Sequence, residues 1–291
     1  MTKLKTENRT YASTAGHKFK VSTIIAYIIL GVWMITCLFP VYWMFTFSLK
    51  TNDEIFVSNP MGIPQSWMWE NYKKAWTIGR IDKYFINSLI ITISSIVITM
   101  LAAAMATYAM TRMIWKGRKL MNKFFMLGLT IPIHVALVPL YRWFATLGLR
   151  NSYLALILPY SAFALAMAIL ISNGFMGDIP YDLDEAAFID GCGVWGIFIK
   201  IICPLMVPAI STIGIYTFLQ CWNELMFANI LIDDNKFFTL PRGTNELVGQ
   251  YKSEWGPIGA SLTIATIPTL VVYILLSGRI RESFIAGAVK G

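Results

Sequence analysis

The chain has 291 residues, 56% apolar and 14% charged, with a formal net charge of +8. Soluble domains carry about 25% charged residues, so the composition excludes an ordinary soluble enzyme and points to a membrane protein. The Lys and Arg residues are spread over several loops rather than focused in one patch, which excludes a nucleic-acid partner as the reason for the basic charge.

Six windows free of Asp, Glu, Lys and Arg follow one another: residues 21–49, 84–111, 124–141, 151–177, 201–223 and 255–278. A helix needs roughly 20 residues to cross the hydrocarbon core. Backbone groups there must be paired internally, so the windows are predicted as transmembrane helices. The expected architecture is an all-α membrane protein with six spans. Residues 1–20 form an N-terminal tail, 21–280 the membrane domain and 281–291 a C-terminal tail. The first window is longer than the apolar core of a signal peptide, and no small-x-small site follows it; it reads as a retained span.

Between the first two spans, residues 50–83 hold Pro60, Gly62 and Pro64 and an aromatic group, Trp67, Trp69, Tyr72 and Trp76. Trp and Tyr favour the membrane–water boundary. This loop reads either as an interfacial amphipathic helix or as part of a docking surface. The third window carries Pro132 and Pro139, which predicts a kinked span. Small residues such as Ala102–Ala104 and Ser211–Gly214 predict close helix packing. Basic residues set the orientation. Lys3, Lys5, Arg9, Lys18 and Lys20 precede span one; Arg112, Lys116, Arg118, Lys119 and Lys123 join spans two and three; Arg279, Arg281 and Lys290 follow span six. With six spans these fall on one side, which predicts cytoplasmic termini. Cys37, Cys192, Cys203 and Cys221 stand alone, and His17 and His134 lie far apart, so neither a disulfide framework nor a metal site is expected.

One loop is polar, acidic and patterned. Residues 178–204, between spans four and five, contain Asp182-Leu-Asp-Glu185-Ala186-Ala187-Phe-Ile-Asp190-Gly191, then nine residues, then Ile201-Ile-Cys-Pro204. Asp182 and Glu185 have capping-box spacing. Pro180 favours a helix start, and Gly191 permits a tight turn. A second apolar helix is predicted over 194–202. Glu224, in Trp222-Asn223-Glu224, is the one acid in a span region. Its charge would be costly in lipid, so it should face protein or water.

The E-A-A-x3-G-x9-I-x-x-P spacing resembles the EAA loop of ABC-importer permeases, with Cys203 where Leu is usual. The C-terminus, Gly278 to Ala286-Gly287-Ala-Val-Lys290-Gly291, resembles the tail of carbohydrate-uptake permeases of the maltose type, with Ile285 where Thr is usual. The resemblance implies a type I importer permease in a bacterial or archaeal cell membrane. It implies a sugar substrate, a second homologous permease, two ATPase subunits that use ATP and magnesium, and an extracellular solute-binding protein. Glu185, Ala186, Ala187, Asp190 and Gly191 would dock an ATPase. Ala286, Gly287, Lys290 and Gly291 would enter the seam between the ATPases. Thr239, Arg242, Thr244, Asn245 and Gln250 would lie in a loop that meets the binding protein. Trp222, Asn223 and Glu224 are candidates for the pathway, although a bond from Glu224 to a neighbouring span fits the residues better than a sugar contact.

Other readings have less support. The chain carries no phosphate-cradling Gly-rich Lys motif, so it is expected to need no cofactor of its own and to hydrolyse no ATP. A membrane enzyme would need acid or His clusters. A secondary transporter would show ionisable spans or repeated broken helices. A permease for peptides, polyamines or phosphate is the nearer rival, and the tail favours sugars over these.

Overall fold

The computed structural model describes residues 21–250 and 254–288, without the side chains of 249, 250 and 276–288. The described residues are helical, with no strand. The apolar windows become α1 (Val21–Ser48), α3 (Ile81–Thr111), α6 (Leu154–Asp178) and α13 (Trp255–Ala288), with the short α2 (Glu70–Thr77) before α3. By contacts the chain divides after Met44. The first unit is the apolar opening of α1, long enough to cross a membrane as one helix. All further packing concerns the second unit, Phe45–Gly291.

Spans three and five are not continuous. The third is α4 (Arg118–Leu127) and α5 (Leu137–Thr146) with short 3-10 turns between them, bent by 94°. Pro132 lies at the break in extended conformation. Proline lacks an N–H and its ring disrupts the preceding turn, so the expected kink becomes a corner. The fifth comprises α8 (Val194–Ile197), a π-turn over Phe198–Ile202, α9 (Cys203–Leu205) and α10 (Val207–Trp222), bent by 72°. Pro204 and Pro208 flank that bend. Among the described residues, four unbroken helices are long and apolar enough to span a membrane, and up to six segments if each bent pair is one span.

The core lies where α3 packs along α6 and α10. Ala103, Ala155, Ala164, Ala168 and Ala209 are fully covered. Such small side chains let backbones approach, which drives packing where lipid removes the hydrophobic incentive. α3 has 31 residues and is therefore about 46 Å long at 1.5 Å per residue. That exceeds the roughly 30 Å hydrocarbon core, so its ends reach beyond the membrane.

One end of the bundle is capped by residues 49–80, the 147–153 turn and 223–250. Residues 50–80 hold a π-turn at Glu54–Ser58 and the short α2 rather than one continuous helix. Lys50 is buried and its Nζ donates to the carbonyls of Asn59 (2.6 Å) and Pro60 (3.2 Å). Burial lowers the Lys50 ammonium below the usual lysine range, opposed by the Glu54 charge. Asn71 of α2 donates to the carbonyls of Ser48 (2.9 Å) and Lys50 (3.1 Å). Lys74 pairs with Glu254 at 2.8 Å, and Arg150 pairs with Asp233. Trp67, Trp69 and Trp76 stay exposed.

The segments after α3 and α6 meet at the opposite end. Tyr108 donates to the carbonyl of Val194 (3.3 Å), and Tyr181 to that of Thr111 (3.2 Å). The 112–117 and 179–194 segments therefore share one side, as the alternation of spans requires.

Candidate docking loop and pathway

The acidic loop folds into a helix, a tight turn and a second helix. α7 covers Asp182–Ile189. Its first turn holds Asp182, Asp184 and Glu185, which complements the partial positive charge of a helix N-terminus. The expected capping box does not form: Tyr181 is the N-cap and no side chain caps there. Asp184 points instead to Arg112, at 2.9 Å.

The C-terminus of α7 is a Schellman turn. Gly191 has φ +83°. Its N–H donates to Phe188 (3.0 Å), and that of Cys192 to Ala187 (2.9 Å). These two bonds satisfy carbonyls the helix end would leave orphaned. A Cβ on Gly191 would meet nothing within 4 Å. Glycine is thus required by the left-handed backbone and not by crowding; a larger residue costs about 1–2 kcal/mol.

Of the proposed docking residues, Ala187 is buried. It packs in a cluster with Tyr108, Met176, Ile179, Ile197 and Phe198. Glu185, Ala186, Asp190 and Gly191 are exposed. The sequence reading missed the apolar surface beside them: Phe188, Ile189 and Trp195 are 71%, 84% and 66% exposed. The signal was present in the sequence, since these are large apolar residues within or beside the acidic segment, outside the six charge-free windows.

At the other end Glu224 is held on both oxygens. Oε2 accepts from the Tyr160 hydroxyl of α6 (2.6 Å) and the Ala228 N–H (3.4 Å). Oε1 accepts from the Phe227 N–H (2.9 Å). It thereby anchors the start of α11 (Met226–Leu231) to α6. Trp222 is buried, donates to the Ala265 carbonyl (2.9 Å) and stacks on Phe218. It is held inside the packed core. Asn223 is exposed and bonds its own helix at the Leu219 carbonyl, 2.9 Å. Glu224 does border an open cavity of about 160 Å³, together with Ile133, His134, Tyr160, Phe163, Gln220, Cys221 and Phe227. The bend in span three places Ile133 and His134 on its rim.

The expected binding-protein loop is not a loop. α12 covers Leu240–Gln250. Thr239 and Thr244 are buried, so their hydroxyls do not face a partner. Thr239 immediately precedes α12, its hydroxyl accepting from the Arg242 N–H at 3.5 Å. Arg242 pairs with Glu246 (2.8 Å) and lies over the Phe238 ring (4.4 Å). Asn245 is exposed; the Gln250 side chain lies outside the described residues. The backbone of α13 runs through Ala286 and Gly287 to Ala288. Lys290 and Gly291 lie outside the described residues, as does the tail at 1–20.

A bundle of long and broken apolar helices, with folded caps at both ends, defines a multi-pass membrane protein of the permease class. Residues 95–284 match the family described as the binding-protein-dependent transport system inner membrane component, and the chain belongs to that family. It is 36% identical over 274 residues to the probable ABC transporter permease YurM of Bacillus subtilis, covering 94% of this chain and 91% of that one. It is 33% identical over 268 residues to the diacetylchitobiose uptake permease NgcG of Streptomyces coelicolor, covering 91% and 88%. A solved bacterial ABC transporter that imports alginate has the same fold at TM-score 0.79 and 17% identity, covering 92% and 99%.

Proposed function

We propose that the chain is one permease subunit of an ABC importer for a sugar or oligosaccharide. A second, homologous permease completes the pathway. Two ATPase subunits supply the energy with ATP and magnesium, and an extracellular binding protein delivers the solute. The family name supports the binding protein. The diacetylchitobiose relative supports the sugar.

The observation that carries the coupling role is the apolar ridge of Phe188 and Ile189 on α7 and Trp195 at the start of α8, all largely exposed. Exposed apolar surface of this kind marks an interaction site. The polar cap at the other end then faces outward, and the termini face the cytoplasm. The small cavity beside Glu224 supports a shared pathway. Ligand pockets measure roughly 300–1,000 Å³, and its about 160 Å³ is half a site at best, left for a second subunit to complete. Tyr160 and Phe163 offer ring faces to a sugar, and Gln220 offers an amide to its hydroxyls. The end of the chain, Ala286 to Gly291, is proposed to reach the ATPases.

The complex recovered from native membranes through a tag on this chain should contain a second permease and an ATPase. A Phe188→Cys variant, in a background without native cysteines, should cross-link to the ATPase and thereby fix that end as cytoplasmic. Recovery of this chain alone, or cross-linking of Phe188→Cys only to extracellular reagents in intact cells, contradicts the assignment.

A further inference from the structure

The side chain that joins the docking helix to the membrane bundle is Arg112, the residue after α3. Its side chain is 3% exposed. One guanidinium nitrogen reaches Asp184 of α7 at 2.9 Å. Another donates to the carbonyls of Met176 (2.8 Å) and Ile179 at the end of α6. The Tyr181 ring lies 4.2 Å from its centre. A planar fork of donors can serve two directions at once, which a lysine ammonium on a flexible stem cannot. The two carbonyls belong to a helix end, where acceptors otherwise lack partners, and a cation there is favoured by the helix dipole. Pro180 follows at once and has no N–H with which to carry the helix on. Two tyrosines flank this contact: Tyr181 to Thr111 and Tyr108 to Val194. The last turn of α3 therefore grips both ends of the docking segment. α3 is also the helix that packs most extensively on α6 and α10.

We propose that Arg112 is the positioning residue of the coupling device. It makes α7 rigid with α3, so that a push on the Phe188–Ile189 ridge moves the bundle and does not merely swing a loop. This rests on the importer reading, and it adds to that reading a transmitting residue and the helix that receives the motion. Buried charged hydrogen bonds suit such a role, since losing one partner leaves the other uncompensated.

The test is Arg112→Gln, which keeps bulk and some donors but removes charge and fork, measured in the intact purified complex beside Asp184→Asn. Two readouts are needed. The first is hydrogen exchange of the α7 amides, Glu185 to Cys192. The second is the ratio of ATPase rates with and without binding protein loaded from a mixture of disaccharides that includes diacetylchitobiose. At equal recovery of the complex, we expect α7 to exchange at least about 10-fold faster while mid-α6 stays protected. The ATPase stimulation should fall by a similar factor with the basal rate retained. The double variant should be little worse than Arg112→Gln, because the two residues act as one unit. Unchanged α7 exchange overturns the proposal. So does faster exchange with full stimulation. Loss of the complex in proportion to loss of stimulation also overturns it, since a merely structural residue behaves that way. A wild-type complex that no loaded binding protein stimulates overturns the importer reading itself, a result distinct from variant and wild type responding alike.

Discussion

Ile189→Asp is expected to weaken ATPase docking by about 30- to 1,000-fold, the factor that corresponds to the roughly 2–4 kcal/mol of an interface hot spot. Ile189 is 84% exposed and closes α7, so the chain loses no packing when it changes. A new charge buried without a partner at an apolar contact is the dominant cost. An aspartate at a helix C-terminus also opposes the dipole, worth about 0.3–1 kcal/mol. Ile189→Lys separates the two effects, since a cation suits that terminus. Both variants should insert and fold as the parent does, and both should lose the ATPase on co-purification. If only the aspartate variant does, the effect is local to the helix and the ridge is not an interface.

Gly256→Val is expected to be strongly damaging at the cap that holds residues 49–80. A Cβ on Gly256 would lie 2.2 Å from Asn71 Nδ2 and 2.6 Å from its Cγ. Asn71 is itself buried and holds the carbonyls of Ser48 and Lys50. Displacing it breaks two hydrogen bonds to covered acceptors, each costing about 1–3 kcal/mol when left unmet. One turn on, Gly259 faces the Phe47 ring, with a Cβ at 2.4 Å from Cδ1, so α13 cannot roll away to make room. Thermal stability in detergent should fall sharply and membrane abundance several-fold. Gly174→Ala in α6, where a Cβ meets nothing within 4 Å, is the neutral control. Equal stability of the two variants would mean that the cap does not hold α13.

The helical membrane fold was legible because its signal is compositional: a window without charges needs no tertiary information. The breaks in spans three and five were not. Pro132 announces a disturbance, but a kink and a 94° corner carry the same residue, and only the packing of α4 and α5 chooses between them. The helix–turn–helix form of the acidic loop was legible from its pattern, and Gly191 from its turn. The capping box failed because the helix begins one residue early, with Tyr181 at the N-cap and Asp182 already inside, while Asp184 turns to Arg112, distant along the chain. Arg112 looked like one more basic residue of a cytoplasmic loop; nothing local marks it as buried. Thr239 and Thr244 looked like free polar groups for the same reason, since their burial is set by α3 and α13 from outside. Trp222 stood out only as a candidate for the pathway, and its burial and the bond of its indole N–H to α13 could not be read locally.

ATP-driven uptake in proteoliposomes tests the central claim most directly. The intact complex is reconstituted with the tagged chain and supplied with binding protein and radiolabelled diacetylchitobiose among other disaccharides. The account predicts that sugar accumulates only when binding protein faces one side of the membrane and ATP with magnesium the other, and that Ile189→Asp abolishes it. Accumulation that proceeds without ATP, or that is driven by an ion gradient alone, would contradict it.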